Sequence, residues 1–191
     1  MDKKLKIIII SLIGIIIFAT VLIAQKPKTS KEHLFIETNY GIIEIAFFPD
    51  KAPKHVEAIK KLANDGFYNG TLFHRVIPGF MIQGGDPLSK QPNRALHGTG
   101  GPSFIIPAEF NDISHKRGIC SMARSQSINS AGSQFFICVA DSTFLDRQYT
   151  VWGEVVNGMD TADKIAALKR DANDNPIEPA RMNRVYIKTI N

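Results

Sequence analysis

The stretch from Phe73 to Asp86 reads Phe-His-Arg-Val-Ile-Pro-Gly-Phe-Met-Ile-Gln-Gly-Gly-Asp. It surrounds a single arginine, Arg75, with large apolar residues and turn formers. The alternation of Phe73, Arg75 and Ile77 predicts a short strand, and Pro78-Gly79 is a turn dipeptide. A second strand is expected just beyond this turn. The two strands would place a guanidinium, an amide and two apolar side chains around one hollow.

Two further runs in the second half of the chain carry a similar mixture of small, polar and aromatic residues. One extends from Ser121 to Ser125 and continues from Asn129 to Ile137, and the other extends from Phe144 to Gly153. Together with the opening stretch, they resemble the signature of the cyclophilins, the peptidyl-prolyl cis/trans isomerases. The resemblance covers roughly residues 33 to 190, and three such runs in the right order are not expected by chance.

The part of the chain that follows residue 32 consists of many short apolar runs bounded by turn residues, with only two helical patterns among them. This pattern indicates a closed antiparallel barrel rather than alternating β-α units. Strands are expected at Leu34–Thr38, Ile43–Phe47, Phe104–Ile106, Gly118–Met122, Gln134–Val139 and Thr150–Val156, and around Val185 and Ile187. Helices are expected to begin near Pro53 and after Asn157, the second including Leu168, and 87–102 is expected to be a long surface loop. The resemblance implies the specific form: a mainly β, closed eight-stranded antiparallel cyclophilin-like barrel capped by two α-helices and preceded by an N-terminal hydrophobic helix.

An uncharged run of 18 residues extends from Ile7 to Ala24. It is close to the minimum length that can cross a bilayer as a helix, and the small-x-small pattern of a signal peptidase site is poor after it. An uncleaved anchor is therefore the preferred interpretation, a cleaved signal peptide is the alternative, and a buried helix of the globular domain is the least favoured. The predicted organisation is a signal-anchor or signal peptide at 1–25, a linker at 26–32 and a cyclophilin-like domain at 33–191.

The charges around this run predict its orientation. Lys3, Lys4 and Lys6 precede it and would remain in the cytoplasm, although three lysines after it weaken the asymmetry. The expected location is the bacterial inner membrane, crossed once with the catalytic domain on the periplasmic side, or the periplasm itself after cleavage. The net charge of +5 is too slight to indicate a nucleic-acid partner.

Several common types of site are missing from the sequence. It contains no phosphate-binding loop, no His-Glu-x-x-His, no Cys-x-x-Cys and no Gly-x-Ser-x-Gly elbow, and its five histidines lack metal-ligand spacing. No metal and no cofactor are therefore expected. Cys120 and Cys138 lie in apolar runs. Two interpretations remain open: that they are buried free thiols, or that they form a disulfide. Trp152 is expected in the core.

Transferred position by position, the resemblance implies a catalytic set of Arg75, Gln83 and Phe80. The ring of a substrate proline would contact Phe80, Met81, Phe136 and Leu145, and a backbone strip at 123–125 would pair with the substrate chain. The complete implied substrate-binding set is Met81, Gly98, Ala123, Arg124, Ser125, Gln134, Phe136, Phe144, Leu145 and Tyr149.

Two positions differ from the animal cyclophilins. Phe144 stands where those proteins carry a tryptophan, and Tyr149 stands where they carry a histidine. Both choices look like bacterial members of the family. Because the missing indole removes a hydrogen-bond donor, weakened cyclosporin binding is expected together with activity on proline peptides.

The implied function is peptidyl-prolyl cis/trans isomerisation, which would accelerate the folding of proline-containing polypeptides in the bacterial cell envelope. Unfolded or flexible proline-containing chains are the expected partners, and the protein is expected to be a monomer. One alternative is a non-catalytic proline-peptide-binding module of a membrane-associated assembly. Another is a membrane-tethered spacer, but a spacer would not require the apolar residues implied to form the proline-binding groove. An intact Arg75 favours the enzyme, since a pure binder has no need of a cation at the prolyl nitrogen.

Overall fold

The computed structural model describes residues 29–190 of the chain. The predicted segment at 1–25, its hydrophobic helix and the first residues of the linker lie outside the described residues. Within 29–190, no helix combines the length and the apolar character needed to cross a membrane.

Eight β-strands and two α-helices make up the described part of the chain. The strands are β1 (Glu32–Thr38), β2 (Gly41–Phe47), β3 (Arg75–Ile77), β4 (Met81–Gly84), β5 (Ile119–Met122), β6 (Phe135–Cys138), β7 (Val151–Asn157) and β8 (Met182–Thr189). The helices are α1 (Pro53–Asn64) and α2 (Met159–Ala166). Short 3₁₀ turns occur at Pro87–Lys90, Arg94–Leu96 and Thr143–Leu145.

All eight strands pair antiparallel in one sheet with the order β3-β4-β6-β5-β7-β2-β1-β8. The outer strands β3 and β8 are joined by the residues that lead into them. Phe73 donates its backbone N–H to the carbonyl of Ala180 at 2.8 Å, and Met182 donates to the carbonyl of Thr71 at 2.8 Å. The prediction of an eight-stranded antiparallel barrel with two helices is thus confirmed, with the closure made by these few bonds.

The two helices pack against the sheet with the faces that their sequences predict. Helix α1 begins with Pro53, whose missing N–H costs nothing in the first turn, and it turns Val56, Ile59 and Leu62 into the core. Helix α2 buries Ala162, Ile165 and Ala166. Both therefore cover apolar surface that the sheet would otherwise expose to water.

Three details differ from the sequence predictions. The expected strand at Phe104–Ile106 is reduced to an isolated bridge between Ile106 and Ala131, and Ile105 is 68% exposed. Its three apolar residues satisfy the strand pattern, but no neighbouring strand offers them a ladder. Helix α2 ends at Ala166, so Leu168 lies beyond it and packs on the core from the following loop. The predicted surface loop at 87–102 contains two of the 3₁₀ turns.

The structure shows the environments of the two cysteines and of Trp152. Cys120 and Cys138 are both buried and unpaired, and burial raises the pKa of both thiols, that of Cys138 to about 12. These thiols are therefore inert core residues. Trp152 is fully buried, as expected, and its ring packs against Phe47 and Phe135.

The start of α2 depends on a glycine. Gly158 has a φ of +90° at the N-cap, and a Cβ at this position would collide with the backbone oxygen of Ile42. Gly158→Ala is expected to lower the free energy of unfolding by about 2 to 4 kcal/mol, since backbone strain and steric overlap add. Urea unfolding followed by circular dichroism measures the change.

Gly70→Ala is the matched control for this substitution. Gly70 has a φ of +82°, but a Cβ there would meet no atom within 4 Å. It should cost only the backbone strain, about 1 to 2 kcal/mol. Equal losses in the two variants would show that the contact between Gly158 and β2 does not matter.

Candidate active site

The central feature of the candidate site is a row of side chains that crosses four strands. Arg75 of β3 pairs with Gln83 of β4, Gln83 pairs with Phe136 of β6, and Phe136 pairs with Ser121 of β5. Residues that face one another across antiparallel strands project to the same side of the sheet about 5 Å apart. The register therefore places the guanidinium, the amide and the aromatic ring in a line.

This row lies on the face of the sheet opposite to the barrel core. Val76, Ile82 and Ile137, which alternate with the row, are fully buried members of the main core. Because successive strand residues point to opposite faces, β3, β4 and β6 contribute both to the barrel core and to the site.

A second, smaller apolar cluster forms beside the row. It consists of buried Met81, Phe136, Cys138 and Leu145, with Phe80 and other half-buried residues packed against it. Met81 and Cys138 pair directly across β4 and β6, and the 3₁₀ turn at Thr143–Leu145 delivers Leu145. These side chains surround a hollow of about 130 Å³, called the ring pocket below, which is lined by Arg75, Phe80, Met81, Gln83, Ala123, Arg124, Phe136, Leu145 and Tyr149.

The guanidinium of Arg75 stands at the edge of this pocket and is only partly exposed. Its Nη1 lies 3.5 Å from the side-chain oxygen of Gln83, and its Nε lies 3.6 Å from a carboxylate oxygen of Asp174. The loop that carries Asp174 is tied to β3, because the carbonyl of Asp174 accepts the backbone N–H of Val76 at 2.8 Å. Arg75 is thus flanked on two sides and contributes to the lining of the pocket.

A chain of amides extends from Arg75 along the groove. The side-chain N–H₂ of Gln83 donates to the side-chain oxygen of Gln134 at 3.1 Å, and Gln134 in turn donates to the carbonyls of Gly98 at 3.0 Å and Gly100 at 2.8 Å. Each amide is therefore oriented by the next one.

Gly98 has its own anchor. Its φ is +89°, and its backbone N–H donates to the carboxylate of Asp86, which is fully buried. Asp86, which ends the opening stretch of sequence, thus fixes the loop that forms the far wall of the groove.

The backbone strip at 123–125 runs between the ring pocket and an adjoining cavity of about 340 Å³, to whose lining Gly98, Ser125 and Gln134 contribute. Ala123 donates its backbone N–H to the carbonyl of Gln134, and Ser125 donates to the hydroxyl of Ser130, both at 2.9 Å. Among residues 29–190, no acceptor is found for the intervening backbone N–H of Arg124. This donor is free to pair with an extended chain in the groove.

Two aromatic residues form the rim. The ring of Phe144 is 65% exposed and packs against Phe80 with a centroid distance of 5.5 Å. Tyr149 meets Phe136 edge-on at 5.7 Å, and the guanidinium of Arg124 lies over the Tyr149 ring at 4.7 Å. Phe144 therefore borders the ring pocket from outside rather than lining it.

One residue beneath the pocket was missed by the sequence analysis. The buried ring of His115 stacks on Phe136, with 6.1 Å between centroids, and its nitrogens face Asp146 at 3.0 Å and Ser121 at 3.2 Å. Burial lowers the pKa of His115, although the carboxylate of Asp146 acts in the opposite direction. No spacing in the sequence links these residues, because only the fold brings them together below the ring pocket.

The structure thus brings the predicted site residues to one face of the sheet, in the ring pocket, the adjoining cavity and the rim. Their roles in binding and catalysis remain predictions. Within the described part of the chain, no group of three or more His, Cys, Asp or Glu side chains is arranged to hold a metal ion. The expectation of no metal and no cofactor likewise stays a prediction.

Comparisons with known proteins agree with this geometry. Residues 33–187 match the family model described as cyclophilin type peptidyl-prolyl cis-trans isomerase/CLD. A probable peptidyl-prolyl cis-trans isomerase of Brucella abortus is 53% identical over 130 residues, which are 65% of this chain and 66% of the relative. Peptidyl-prolyl cis-trans isomerase A of Dickeya dadantii is 39% identical over 176 residues, covering 90% of this chain and 88% of that protein.

A solved structure gives the same result. The cyclophilin type peptidyl-prolyl cis-trans isomerase of Cryptosporidium parvum, determined in the presence of the dipeptide Ala-Pro, superimposes with a TM-score of 0.75 at 31% identity. The match covers 82% of this chain and 98% of that one.

A buried histidine beside Arg75 generates a prediction about pH. His74 is 4% exposed, and burial lowers its pKa to about 4. The folded protein therefore holds the neutral imidazole, whereas the unfolded chain takes up a proton near pH 6.5. This contribution to stability is complete above pH 6.5 and is lost as the pH falls toward 4, by at most about 3 kcal/mol.

His74→Gln is expected to reduce the loss of unfolding free energy between pH 6.5 and 4, whatever its effect at neutral pH. Urea titrations at several pH values measure this difference. An unchanged pH dependence in the His74 variant would contradict the prediction.

Proposed function

Because this chain belongs to the cyclophilin type peptidyl-prolyl cis-trans isomerases, we propose that it accelerates the rotation of X-Pro bonds in unfolded or flexible polypeptides. The observation that carries the proposal is the position of Arg75. Its guanidinium borders an apolar hollow lined by Phe80, Met81, Phe136 and Leu145. A proline ring held in that hollow would present its amide nitrogen toward the cation.

The chemistry requires no nucleophile and no proton transfer. The barrier to rotation, about 20 kcal/mol, comes from conjugation between the amide nitrogen and the carbonyl. In the twisted state the nitrogen lone pair is localised, so an N–H of Arg75 aimed at this nitrogen binds the twisted state better than the planar one. Arginine suits this task because its guanidinium is planar and always charged.

The rest of the groove supplies orientation. The ring pocket would hold the proline while the free backbone N–H of Arg124 pairs with the chain that precedes it. Gln83, which contacts both Arg75 and Gln134, keeps the cation and the groove wall in register. One preorganised donor contributes about 3 to 4 kcal/mol, which corresponds to a rate factor of roughly 100 to 1000.

The substrate class is also inferred from a relative. The Cryptosporidium parvum cyclophilin was solved in the presence of Ala-Pro, a dipeptide in which proline follows another residue. The groove of this chain is open along the strip at 123–125, which favours extended polypeptides over compact folded surfaces. Slowly folding chains limited by proline isomerisation are such substrates.

Arg75→Ala is expected to lower kcat/KM for a proline peptide by at least about 100-fold, because the donor to the twisted nitrogen is removed. The fold should persist, since Arg75 is a partly exposed side chain outside the core. The assay is peptide isomerisation or proline-limited refolding with the purified full chain in mild detergent. Circular dichroism checks the fold.

Arg184→Ala is the matched control, because Arg184 is a surface residue of β8 stacked on Tyr186, outside the residues that line the groove. It should keep the wild-type rate. Near-full activity of the Arg75 variant would refute the mechanism. If the folded wild type showed no isomerase activity but captured a proline-containing partner, the binding-module alternative would replace the enzyme.

The proposal extends to the place of action, the bacterial cell envelope. It is supported by the uncharged run from Ile7 to Ala24, the lysines before it and the polar linker after it. A membrane-tethered isomerase would meet secreted chains as they emerge unfolded. The groove residues all lie in the described domain, after the linker.

Expression of the full chain in a Gram-negative host tests this location. The expected result is fractionation with the inner membrane and digestion by protease added to spheroplasts but not to intact cells. A variant with Leu12→Arg and Ile16→Arg should leave the membrane fraction, since two charges in the apolar run oppose insertion. Recovery of the wild-type protein in the cytoplasmic fraction would refute the proposed location.

A further inference from the structure

A third cavity, of about 490 Å³, opens beside Arg75 and has no role in the mechanism above. Arg75, Arg94 and Arg124 contribute to its lining, together with His74 and His97. Of the described residues that line it, Asp171 alone carries a carboxylate. The cavity is therefore predominantly basic, and it will be called the basic cavity.

The carboxylates near the basic cavity are already engaged. Asp171 pairs with Arg94 at 2.8 Å and also accepts the backbone N–H groups of Asn173 and Asn175. Asp174 pairs with Arg170 at 2.9 Å and lies 3.6 Å from Arg75. Two of the three guanidinium groups are therefore at least partly neutralised from within the protein.

Arg124 differs from the other two arginines. Within residues 29–190, no carboxylate lies within 4 Å of its guanidinium. Its contacts are neutral: Nε donates to the carbonyl of Gln148 at 3.2 Å, Nη1 donates to the carbonyl of Ser125 at 3.0 Å, and the group rests on Tyr149. The charge is consequently held in place but not compensated.

The position of Arg124 makes this charge accessible to a substrate. Arg124 and Gln83 line the ring pocket, the adjoining cavity and the basic cavity, so the three spaces meet at these two side chains. A chain that places its proline in the ring pocket and pairs with the strip at 123–125 must pass Arg124. The side chains just before the proline would then lie at the mouth of the basic cavity.

The wall of the basic cavity contains a further unused polar group. His74 is 4% exposed, and neither of its ring nitrogens has a hydrogen-bond partner among the described residues. A neutral imidazole carries one N–H donor, and a buried donor without a partner is costly. Both nitrogens are buried, so this polar group lies behind the surface of the cavity.

We propose that Arg124 makes this chain select proline substrates that carry an acidic side chain, Asp or Glu, at one of the two positions before the proline. The carboxylate enters the basic cavity and pairs with the guanidinium of Arg124, which has no acidic partner of its own. The inference rests on the proposed isomerase function and names its substrate class. A lysine at the same position would meet three arginines and be disfavoured.

The test uses a set of tetrapeptides that differ only before the proline, with Glu, Gln or Lys at each of the two positions in turn. For the wild-type full chain, kcat/KM is expected to be at least about fivefold higher with Glu than with Lys at one position, the size expected of a partly exposed ion pair. The preference should shrink as salt is raised from about 0.05 to 0.5 M, because the pair is screened.

Arg124→Gln should bring the ratio of kcat/KM for the Glu peptide to kcat/KM for the Lys peptide close to one, whatever its effect on the absolute rate. Arg124→Lys keeps a positive charge and should therefore keep part of the wild-type ratio. Arg184→Gln is the matched control. It removes the same charge from a guanidinium that also rests on a tyrosine ring, Tyr186, at 4.5 Å. This control should keep the wild-type ratio.

The possible results separate the inference from the function on which it rests. A wild-type ratio within twofold of one, or a ratio that persists in Arg124→Gln, would overturn the selection of acidic substrates while leaving the isomerase intact. If no peptide is turned over, the proposed function fails. Calorimetric binding of the same peptides then decides the inference: a preference for Glu that depends on Arg124 supports it, and equal affinities refute it.

Discussion

The antiparallel ladder between β3, β4 and β6 is the constraint on which the site depends. Its register opposes Arg75 to Gln83 and Gln83 to Phe136, so one set of backbone hydrogen bonds positions a cation, an amide and an aromatic ring together. A shift of one residue would turn all three side chains into the barrel interior and expose the core residues that alternate with them. Folding of the barrel and assembly of the groove are therefore one event.

Much of the fold and of the candidate site could be predicted from the sequence, because both depend on local sequence patterns. The hairpin of β1 and β2, the helix that begins at Pro53 and the turn at Pro78-Gly79 follow from alternation and turn residues. The site residues followed from three motifs that resemble one family. Their grouping on a single sheet face agrees with that resemblance, since strands that are neighbours in the ladder carry the motifs.

The remaining features could not be predicted, because they depend on contacts between distant parts of the chain. The pattern at Phe104–Ile106 resembles a strand, yet no partner strand lies beside it and only one bridge forms. His115 supports Phe136 from a loop far away in sequence. The basic cavity forms where Arg94 bonds to Asp171 and His97 contacts Asn175. These partners are far apart in the sequence, and no sequence pattern predicts that the two loops pack together.

The barrel core and the smaller cluster around Met81, Phe136 and Leu145 are separate apolar clusters. They share strands but lie on opposite faces of the sheet. Side chains of the groove can therefore be exchanged without opening a cavity in the core, and core residues can be repacked without reshaping the groove. In such an architecture, thermal resistance and substrate preference can change independently, which makes the barrel a scaffold whose selectivity is free to diverge at little cost in stability.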